Sequence, residues 1–259
     1  MTKTKKFTSF RPIIKSRHPS HKKLREGVLE LLPFKSVVRL GSITEMEDTV
    51  TNGGNRIECN TISSISTSSS KILMKDAFME SRIKTAEWFT KDEFYELDKT
   101  IKKERIKELP YPLIAKRIFG SRGNGISMIQ NFEEMTIFLN KNNGYYFEKY
   151  YNYTREYRLH VTQSGYFYAC RKMLKEETPE NERFYRNDSN CVWYLESNPG
   201  FDKPLNWDDI VEECINAIKA VGLDIGACDV LVQSAVDKNG DTRTSPSFIV
   251  PGSMRGQIT

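Results

Sequence analysis

The sequence predicts an α+β protein built from two or three small lobes. Short runs rich in β-branched and aromatic residues, such as 34–42 and 165–174, are bounded by turn residues and predict strands. Apolar residues recur at helical spacing over 71–81 and 208–223, which predicts two amphipathic helices. With 259 residues, the chain is long enough to bury a large core shared by such lobes.

The composition excludes several classes of protein. Hydrophobic residues make up 38% and charged residues 28%, as in ordinary globular proteins. No apolar run approaches the roughly 18 residues of a membrane span, and residues 1–10 lack the apolar core of a signal peptide. Five scattered cysteines without C-x-x-C spacing argue against a zinc site and a disulfide framework. We therefore expect a cytoplasmic protein without a membrane partner, whose cysteines are small buried residues.

Positive charge is concentrated at the N-terminus. Residues 1–25 contain nine lysines and arginines and no acid, so the rest of the chain is net negative. Such an arm can bind nucleic acid by releasing counterions, but a solvated terminal segment is the simpler interpretation. The acidic remainder does not favour a nucleic-acid partner.

In the first half of the chain, clear predictions of strands and helices alternate with segments whose secondary structure is less clear. The run 34–42 predicts a buried strand, and the stretch 43–70 is rich in Thr, Ser, Asn and Gly, with 56–62 as its only strand-like run and low complexity near its end. Serines at its end can cap the helix 71–81, whose apolar face we assign to Ile72, Leu73, Phe78 and Met79. A short strand at 83–89 and a charged helix or loop at 91–109 follow.

The second half is richer in strands. We predict strands at 112–119 and 125–130, a helix at 131–142, and aromatic strands at 144–151, 155–163 and 165–174. Residues 176–204 predict a long polar loop, which in a compact domain is typically functional. The helix 208–223 precedes a hairpin of 225–236 and 245–250, with Asn239-Gly240 in its turn.

A glycine-rich turn separates the strands 112–119 and 125–130. Gly120, Gly123 and Gly125 fit neither a P-loop nor a dinucleotide fingerprint. A glycine turn between antiparallel strands can cover a triphosphate with its backbone N–H groups, and Lys116 would add a positive charge beside it. A plain tight hairpin explains the same residues equally well.

From about residue 70 onward, the order of motifs resembles the ATP-grasp fold, in particular the glutamate-ligase-like ATP-grasp proteins common in phages. In these proteins a strand lysine precedes a G-S-x-G-x-G-[IV] flap, matched here by Lys116 and by Gly120, Ser121, Arg122, Gly123, Asn124, Gly125 and Ile126. The resemblance implies three regions: a small N-terminal α/β domain with its basic arm at 1–70, a lobe with the flap at 71–147, and a lobe with the adenine hinge and metal site at 148–259.

The resemblance also assigns roles to residues beyond the flap. Glu148, Lys149 and Tyr150 would form the hinge whose backbone meets adenine, and Glu156 would accept from the ribose hydroxyls. The implied catalytic, substrate and metal residues are, in that order, Arg158, Arg171 and Lys172; Arg186, Asn187 and Asn190; and Asp229. Seen alone, Glu156 with Arg158 would be an ordinary surface pair, and Arg171 with Lys172 a solvated strand edge.

The activity implied by the resemblance is ATP-dependent ligation of a carboxylate to an amine through an acyl phosphate, in the cytoplasm (of the host, for a phage protein). ATP and Mg²⁺ would be the cofactors, with Mn²⁺ as an alternative metal; the partners are the acid, the amine and, as an open alternative, further copies of the chain. The family's C-terminal E-x-N metal ligands have no counterpart between Val250 and Thr259. An impaired ATP-binding protein, an ATP-grasp kinase and a nucleic-acid-binding protein therefore remain alternatives.

Overall fold

The computed structural model describes residues 13–16, 36–45, 57–94, 97–119, 125–187, 189–233, 248–250 and 254–255. In chain order its strands are β1 (Ile13–Ser16), β2 (Ser36–Leu40), β3 (Ile57–Cys59), β4 (Trp88–Thr90), β5 (Leu113–Arg117), β6 (Ile126–Ile129), β7 (Tyr145–Lys149), β8 (Arg155–Thr162), β9 (Gly165–Leu174), β10 (Cys191–Leu195), β11 (Ile225–Val232), β12 (Phe248–Ile249) and β13 (Met254–Arg255). The α-helices are α1 (Ile62–Ser69), α2 (Lys71–Glu80), α3 (Lys99–Lys107), α4 (Phe132–Lys141) and α5 (Trp207–Ala220), and 3₁₀ turns cover Lys91–Phe94 and Glu180–Glu182.

The largest sheet is antiparallel, in the order β10-β9-β8-β11-β12, and β13 also pairs with β11. Successive side chains of a strand point to opposite faces. On β8, Tyr157, Leu159 and Val161 therefore enter the main core, where they join residues of α1, α2 and α5. The alternate residues, Glu156 and Arg158 among them, lie on the other face.

The second sheet has the order β4-β7-β5-β6. Leu113 and Ala115 of β5 and Phe147 of β7 pack with Met135 and Leu139 of α4 in a separate apolar core. The alternate residues of β5 and β7 face away from this core. The α+β class predicted from the sequence is therefore confirmed, with two apolar cores in the described part of the chain.

The third sheet is parallel, with the order β1-β2-β3. Arg39 of β2 is buried and forms an ion pair with Glu58 of β3. Asn60, just after β3, is also buried and hydrogen-bonds to Asp224 and Ile225. These bonds attach this sheet to the start of β11. The boundary at residue 70 between an N-terminal domain and the lobe with the flap stays a prediction. The helix that follows this boundary, α2, packs in the main core with the large sheet.

The helices begin at polar caps. The side chains of Thr61, Ser70 and Asn131 accept hydrogen bonds from backbone N–H groups three residues ahead, and that of Asp98 from the N–H two residues ahead. The low-complexity stretch before residue 70 predicts no helix, whereas residues Ile62–Ser69 form α1. Its serines are weak helix formers, but the Thr61 cap and the burial of Ile65 outweigh that propensity.

Two further expectations need correction. On α2 the buried residues are Met74, Lys75 and Phe78, whereas Leu73 and Met79 are exposed, so the assigned apolar face was rotated. The predicted loop 176–204 contains β10, which pairs in register with β9 from Cys191 to Leu195. The predicted hairpin strands pair as β11 and β12, and its turn lies outside the described residues.

Candidate functional site

A buried cluster of three charges lies between α2 and the second sheet. Glu148 of β7 forms ion pairs with Lys116 of β5 and with Lys75 of α2, whose Nζ lies 2.8 Å from Glu148 Oε1. Lys75 also donates to Thr85 Oγ1 at 2.6 Å. Lys116 and Glu148 lie on the sheet face opposite the α4 core, because their neighbours Ala115 and Phe147 fill that core.

The charges in this cluster hold each other ionised. Glu148 is 3% exposed and Lys75 is fully buried. Burial alone would raise the pKa of the Glu148 carboxyl, but Lys116 and Lys75 outweigh it and bring that pKa to about 2. Burial lowers the pKa of Lys75, an effect that Glu148 opposes. Lys116 remains partly accessible, so it is the lysine that a ligand can reach first.

Sequence reasoning identified Lys116 and Glu148 but missed Lys75. A lysine on a charged, amphipathic helix usually reaches solvent, and the rotated apolar face hid its burial. The sequence feature that could have indicated its burial is its position next to Met74 and three residues before Phe78, both of which are buried on α2.

A second charged cluster lies on the face of the large sheet away from the main core. Arg158 of β8 binds Asp229 of β11 with two hydrogen bonds, Nε to Oδ1 at 2.7 Å and Nη2 to Oδ2 at 3.0 Å. Lys172 of β9 lies 2.7 Å from Glu156 Oε1, and Tyr153 donates to Glu156 Oε2 at 3.3 Å. We call Tyr153, Glu156, Arg158, Lys172 and Asp229 the sheet cluster.

Strand register explains how these side chains meet. Glu156 is paired with Lys172, and Arg158 with Asp229, and directly opposed residues share a face. Burial opposes the charge on Arg158 and on Lys172, but their carboxylate partners more than compensate, so the pKa of each is raised. Both side chains therefore stay cationic.

The structure does not bring Arg171 into this cluster. As the neighbour of Lys172 in sequence, it points to the opposite face of β9, in register with Tyr157. Its Nη1 donates to the carbonyl of Gly200 at 3.1 Å, and it lies 3.8 Å from Asp202 Oδ2. A catalytic role for Arg171 would need a different arrangement of this strand.

The segment 183–190 brings one predicted residue to the sheet cluster. The guanidinium of Arg186 lies 4.4 Å from the centre of the Tyr153 ring. Asn187 and Asn190 instead hold the turn together: Asn187 Oδ1 accepts from the N–H groups of Ser189 and Asn190, and Asn190 Oδ1 from that of Asn187. Arg186 is thus the member of this segment best placed for a ligand.

Residues 150–154 connect β7 to β8 and so join the two charged clusters. The N–H of Lys149 donates to Glu87 O, and that of Tyr150 donates to Pro112 O, each at 2.9 Å. Both hinge N–H groups are therefore already satisfied by the protein. Burial raises the pKa of Tyr150, an effect that the positive charge of Arg186 opposes.

The predicted glycine turn is described only at its end. Gly120, Ser121, Arg122, Gly123 and Asn124 lie outside the described residues. Gly125 has a φ of 73°, and a Cβ there would lie 2.8 Å from Arg117 Cγ, so this position requires glycine. Ile126 pairs with Lys116, which confirms the predicted strands on either side of the turn.

The described residues do not by themselves fit a magnesium site. Asp229 is the predicted ligand, but both its carboxylate oxygens accept from Arg158. Within the part of the chain that the structure describes, no group of three His, Cys, Asp or Glu side chains is arranged to hold a metal. Mg²⁺ prefers nearly octahedral oxygen coordination, which one occupied carboxylate cannot supply.

Comparison with known proteins identifies the fold. No protein-family model and no curated protein sequence matches the chain. Among solved structures, the chain is similar to carboxyaminoimidazole ribonucleotide synthase from Aspergillus clavatus complexed with ATP, with a TM-score of 0.60 and 14% identity over 96% of this chain and 64% of that one. The chain has the ATP-grasp fold.

Two further ATP-grasp structures support this assignment. D-alanine–D-alanine ligase from Bacillus anthracis has a TM-score of 0.55 and 11% identity, over 96% of this chain and 87% of that one. L-amino acid ligase from Bacillus licheniformis has a TM-score of 0.53 and 17% identity, over 92% of this chain and 52% of that one. The chain thus spans less than two thirds of the fungal synthase and about half of the amino acid ligase.

These ATP-grasp similarities confirm the predicted fold class. At such low identity they show the fold and leave the roles of individual residues as predictions. No helix in the described ranges is long and apolar enough to cross a membrane.

Proposed function

We propose that the chain binds ATP between its second sheet and its large sheet, and uses it to join a carboxylate to an amine. The observation that carries this proposal is the pair of charged clusters, one on each sheet, joined by residues 150–154. Both combine lysine or arginine with buried carboxylates on a face not used by the adjacent apolar core. The three similar enzymes named above include two ligases and a synthase complexed with ATP, which supports the same reading.

In this reaction the main role of these residues is to position the anionic substrates and to neutralise their charge. A carboxylate oxygen of the acid attacks the γ-phosphorus, the bond to the β-phosphate oxygen breaks, and ADP leaves. The amine nitrogen then attacks the acyl carbon, phosphate leaves, and the nitrogen loses a proton to give the amide. Lys116 would face the polyphosphate and Arg158 the transferring phosphoryl group, where positive charge stabilises the transition state.

In this structure each of those cations is paired with a carboxylate of the protein. A polyphosphate would therefore compete with Glu148 for Lys116 and with Asp229 for Arg158. These carboxylates keep the cations ordered and charged before the ligand arrives, which lowers the reorganisation needed on binding.

We expect Lys116→Ala to weaken ATP binding at least about tenfold, the equivalent of about 1.4 kcal/mol. Lys116 is the accessible member of its cluster, so its loss removes a charge that the phosphates can reach. Isothermal titration with ATP measures the effect. Lys107→Ala is the matched control, since Lys107 lies on the exposed face of α3 and pairs with Glu104. Unchanged affinity in Lys116→Ala would exclude the proposed phosphate position.

A catalytically impaired ATP-binding protein is the second candidate. It is favoured by the engagement of both Asp229 oxygens and by the lack of an acid or asparagine between Val250 and Thr259. A kinase would instead release a stable phosphorylated product without an amine. Measuring ADP release with panels of acids, with and without amines, separates the three activities.

If the second candidate is correct, the natural chain binds ATP but releases ADP slowly. Inserting Glu-Val-Asn-Thr-Ala between Val250 and Pro251 restores the spacing and ligands of the E-x-N segment implied by the family resemblance. The inserted chain should then show Mg²⁺-dependent ADP formation at least about tenfold faster, because the added carboxylate and amide would help Asp229 to hold Mg²⁺, whose charge would offset that of the phosphates. An insertion of the same length with Gln and Ala in place of Glu and Asn is the control. Rapid turnover by the natural chain would contradict the impaired assignment.

A further inference from the structure

An exposed tryptophan lies against the sheet cluster. Trp193 of β10 is in register with Lys172, which is in register with Glu156, so the three side chains share one face of the sheet. The ring centre of Trp193 lies 5.0 Å from Lys172 Nζ and 5.1 Å from Arg158 Cζ. Cation–π contacts of this kind fix the orientation of the indole. Trp193 nevertheless remains 37% exposed.

A second apolar side chain continues this surface. Leu195 lies two residues after Trp193 on the same strand, in register with Cys170, which is itself in register with Arg158. Leu195 is 42% exposed and therefore lies beside the charged row rather than in a core. Single exposed apolar residues are ordinary, but two on one face, next to buried cations, form an apolar wall beside a charged site.

Arg186 supplies a positive charge at the same place. Its Nε is buried and has no hydrogen-bond partner among the described residues. Its guanidinium lies 4.4 Å from the centre of the Tyr153 ring, and the Tyr153 hydroxyl donates to Glu156, so Arg186 lies beside the sheet cluster. Three cations, Arg158, Lys172 and Arg186, therefore accompany two carboxylates, Glu156 and Asp229.

We propose that this surface selects the acid substrate, and that it takes a carboxylate whose neighbouring side chain is large and apolar, such as the C-terminal phenylalanine of a peptide. The inference rests on the proposed function, which requires a carboxylate beside Arg158. The excess positive charge of Arg158, Lys172 and Arg186 attracts the carboxylate. Trp193 and Leu195 then cover the apolar side chain, and Trp193 is the specificity-determining residue.

The test uses the full chain and three dipeptide probes: Gly-Phe, Gly-Ala and Gly-Phe-amide. Each is titrated calorimetrically in the presence of saturating AMP-PNP, whose own affinity is measured first. We expect Gly-Phe to bind about tenfold more tightly than Gly-Ala, the lower end of what a hydrophobic contact provides. Gly-Phe-amide should bind at least about tenfold more weakly than Gly-Phe, since it lacks the anion.

Variants of β10 assign the preference to the indole. Trp193→Ala should reduce Gly-Phe affinity to that of Gly-Ala, and Trp193→Phe should keep most of the preference. Val192→Ala is the matched control, because Val192 is 39% exposed on the opposite face of the same strand. It should leave all affinities unchanged.

The outcomes separate the two proposals. If AMP-PNP binds but no dipeptide does, or Gly-Phe and Gly-Ala bind equally, the substrate inference is wrong and the nucleotide site stands. If Trp193→Ala weakens AMP-PNP as much as Gly-Phe, the indole contacts the nucleotide and the inference is also wrong. Failure of AMP-PNP to bind the natural chain would reject the proposed function, and the substrate inference with it.

Discussion

Replacing Glu148 with glutamine is expected to lower the free energy of unfolding by about 3–5 kcal/mol, the usual cost of breaking a buried ion pair from one side. The change keeps the size of the side chain and removes its charge. Lys75 is fully buried, so its ammonium would lose its carboxylate partner in a place that water does not reach. Denaturation in urea, monitored by circular dichroism, measures the difference.

The control and the pH dependence make this prediction specific. Glu104→Gln removes a carboxylate from an exposed pair with Lys107 and should leave stability unchanged. The folded pKa of Glu148 is about 2, below its ordinary 4.5, so the folded state binds its proton less readily than the unfolded state. Its contribution is therefore complete above pH 4.5 and is lost as pH falls toward 2. The difference in free energy of unfolding between the natural chain and Glu148→Gln should become smaller as the pH falls from 4.5 toward 2. A difference that does not change with pH would contradict the ion-pair explanation.

Asn60→Ala is expected to destabilise the protein by about 3 kcal/mol or more, since each buried polar group left without a partner costs about 1–3 kcal/mol. The Asn60 side chain accepts from the N–H groups of Asp224 and Ile225, at 2.9 and 3.1 Å, and donates to the carbonyls of Arg39 and Ile225. Alanine makes none of these side-chain bonds and keeps only the backbone N–H bond of residue 60 to Asp224, so the parallel sheet would lose most of its attachment to β11.

The backbone conformation at Asn60 allows the loss of hydrogen bonds to be separated from backbone strain. Its φ is 59°, in the left-handed region, which costs a residue with a Cβ about 1–2 kcal/mol. Asn60→Gly loses the same hydrogen bonds without that strain, so it should be about 1 kcal/mol more stable than Asn60→Ala. Asn142→Ala, which loses one bond to Phe138 within its own helix, serves as the control. Equal stability of Asn60→Ala and the natural chain would show that this junction does not hold the sheets together.

Much of the charged site was predictable because it depends on local order in the chain. Glu156 and Arg158 are two residues apart on a strand, a spacing that puts both on one face wherever the strand lies. Lys116 and Gly125 were recognisable from the strand–turn–strand pattern around them. The strands at 113–117, 126–129 and 155–162 have strong β-forming residues and clear turns, so their positions also followed from sequence.

Other parts of the site depend on partners distant in sequence. Arg171 and Lys172 looked equivalent, but the register of β9 with β8 sends Lys172 to Glu156 and Arg171 to the opposite face. β10 was hidden in a polar segment, because a short edge strand is stabilised by its neighbour more than by its own residues. Trp193 could not be placed beside Arg158 until that pairing was known.

The sequence by itself determined the α+β class, the order of most strands and helices, and a set of charged residues whose spacing places them on common faces. Only the tertiary structure decided that α2 turns Lys75 inward to Glu148, that Arg158 binds Asp229, and that Asn60 joins the parallel sheet to β11. The physical reason is the distance along the chain over which each interaction acts. Strand alternation and helix caps act over two to four residues and can be read along the chain. The burial of a charge becomes favourable only when a partner from another element satisfies it, and that partner is set by packing and register.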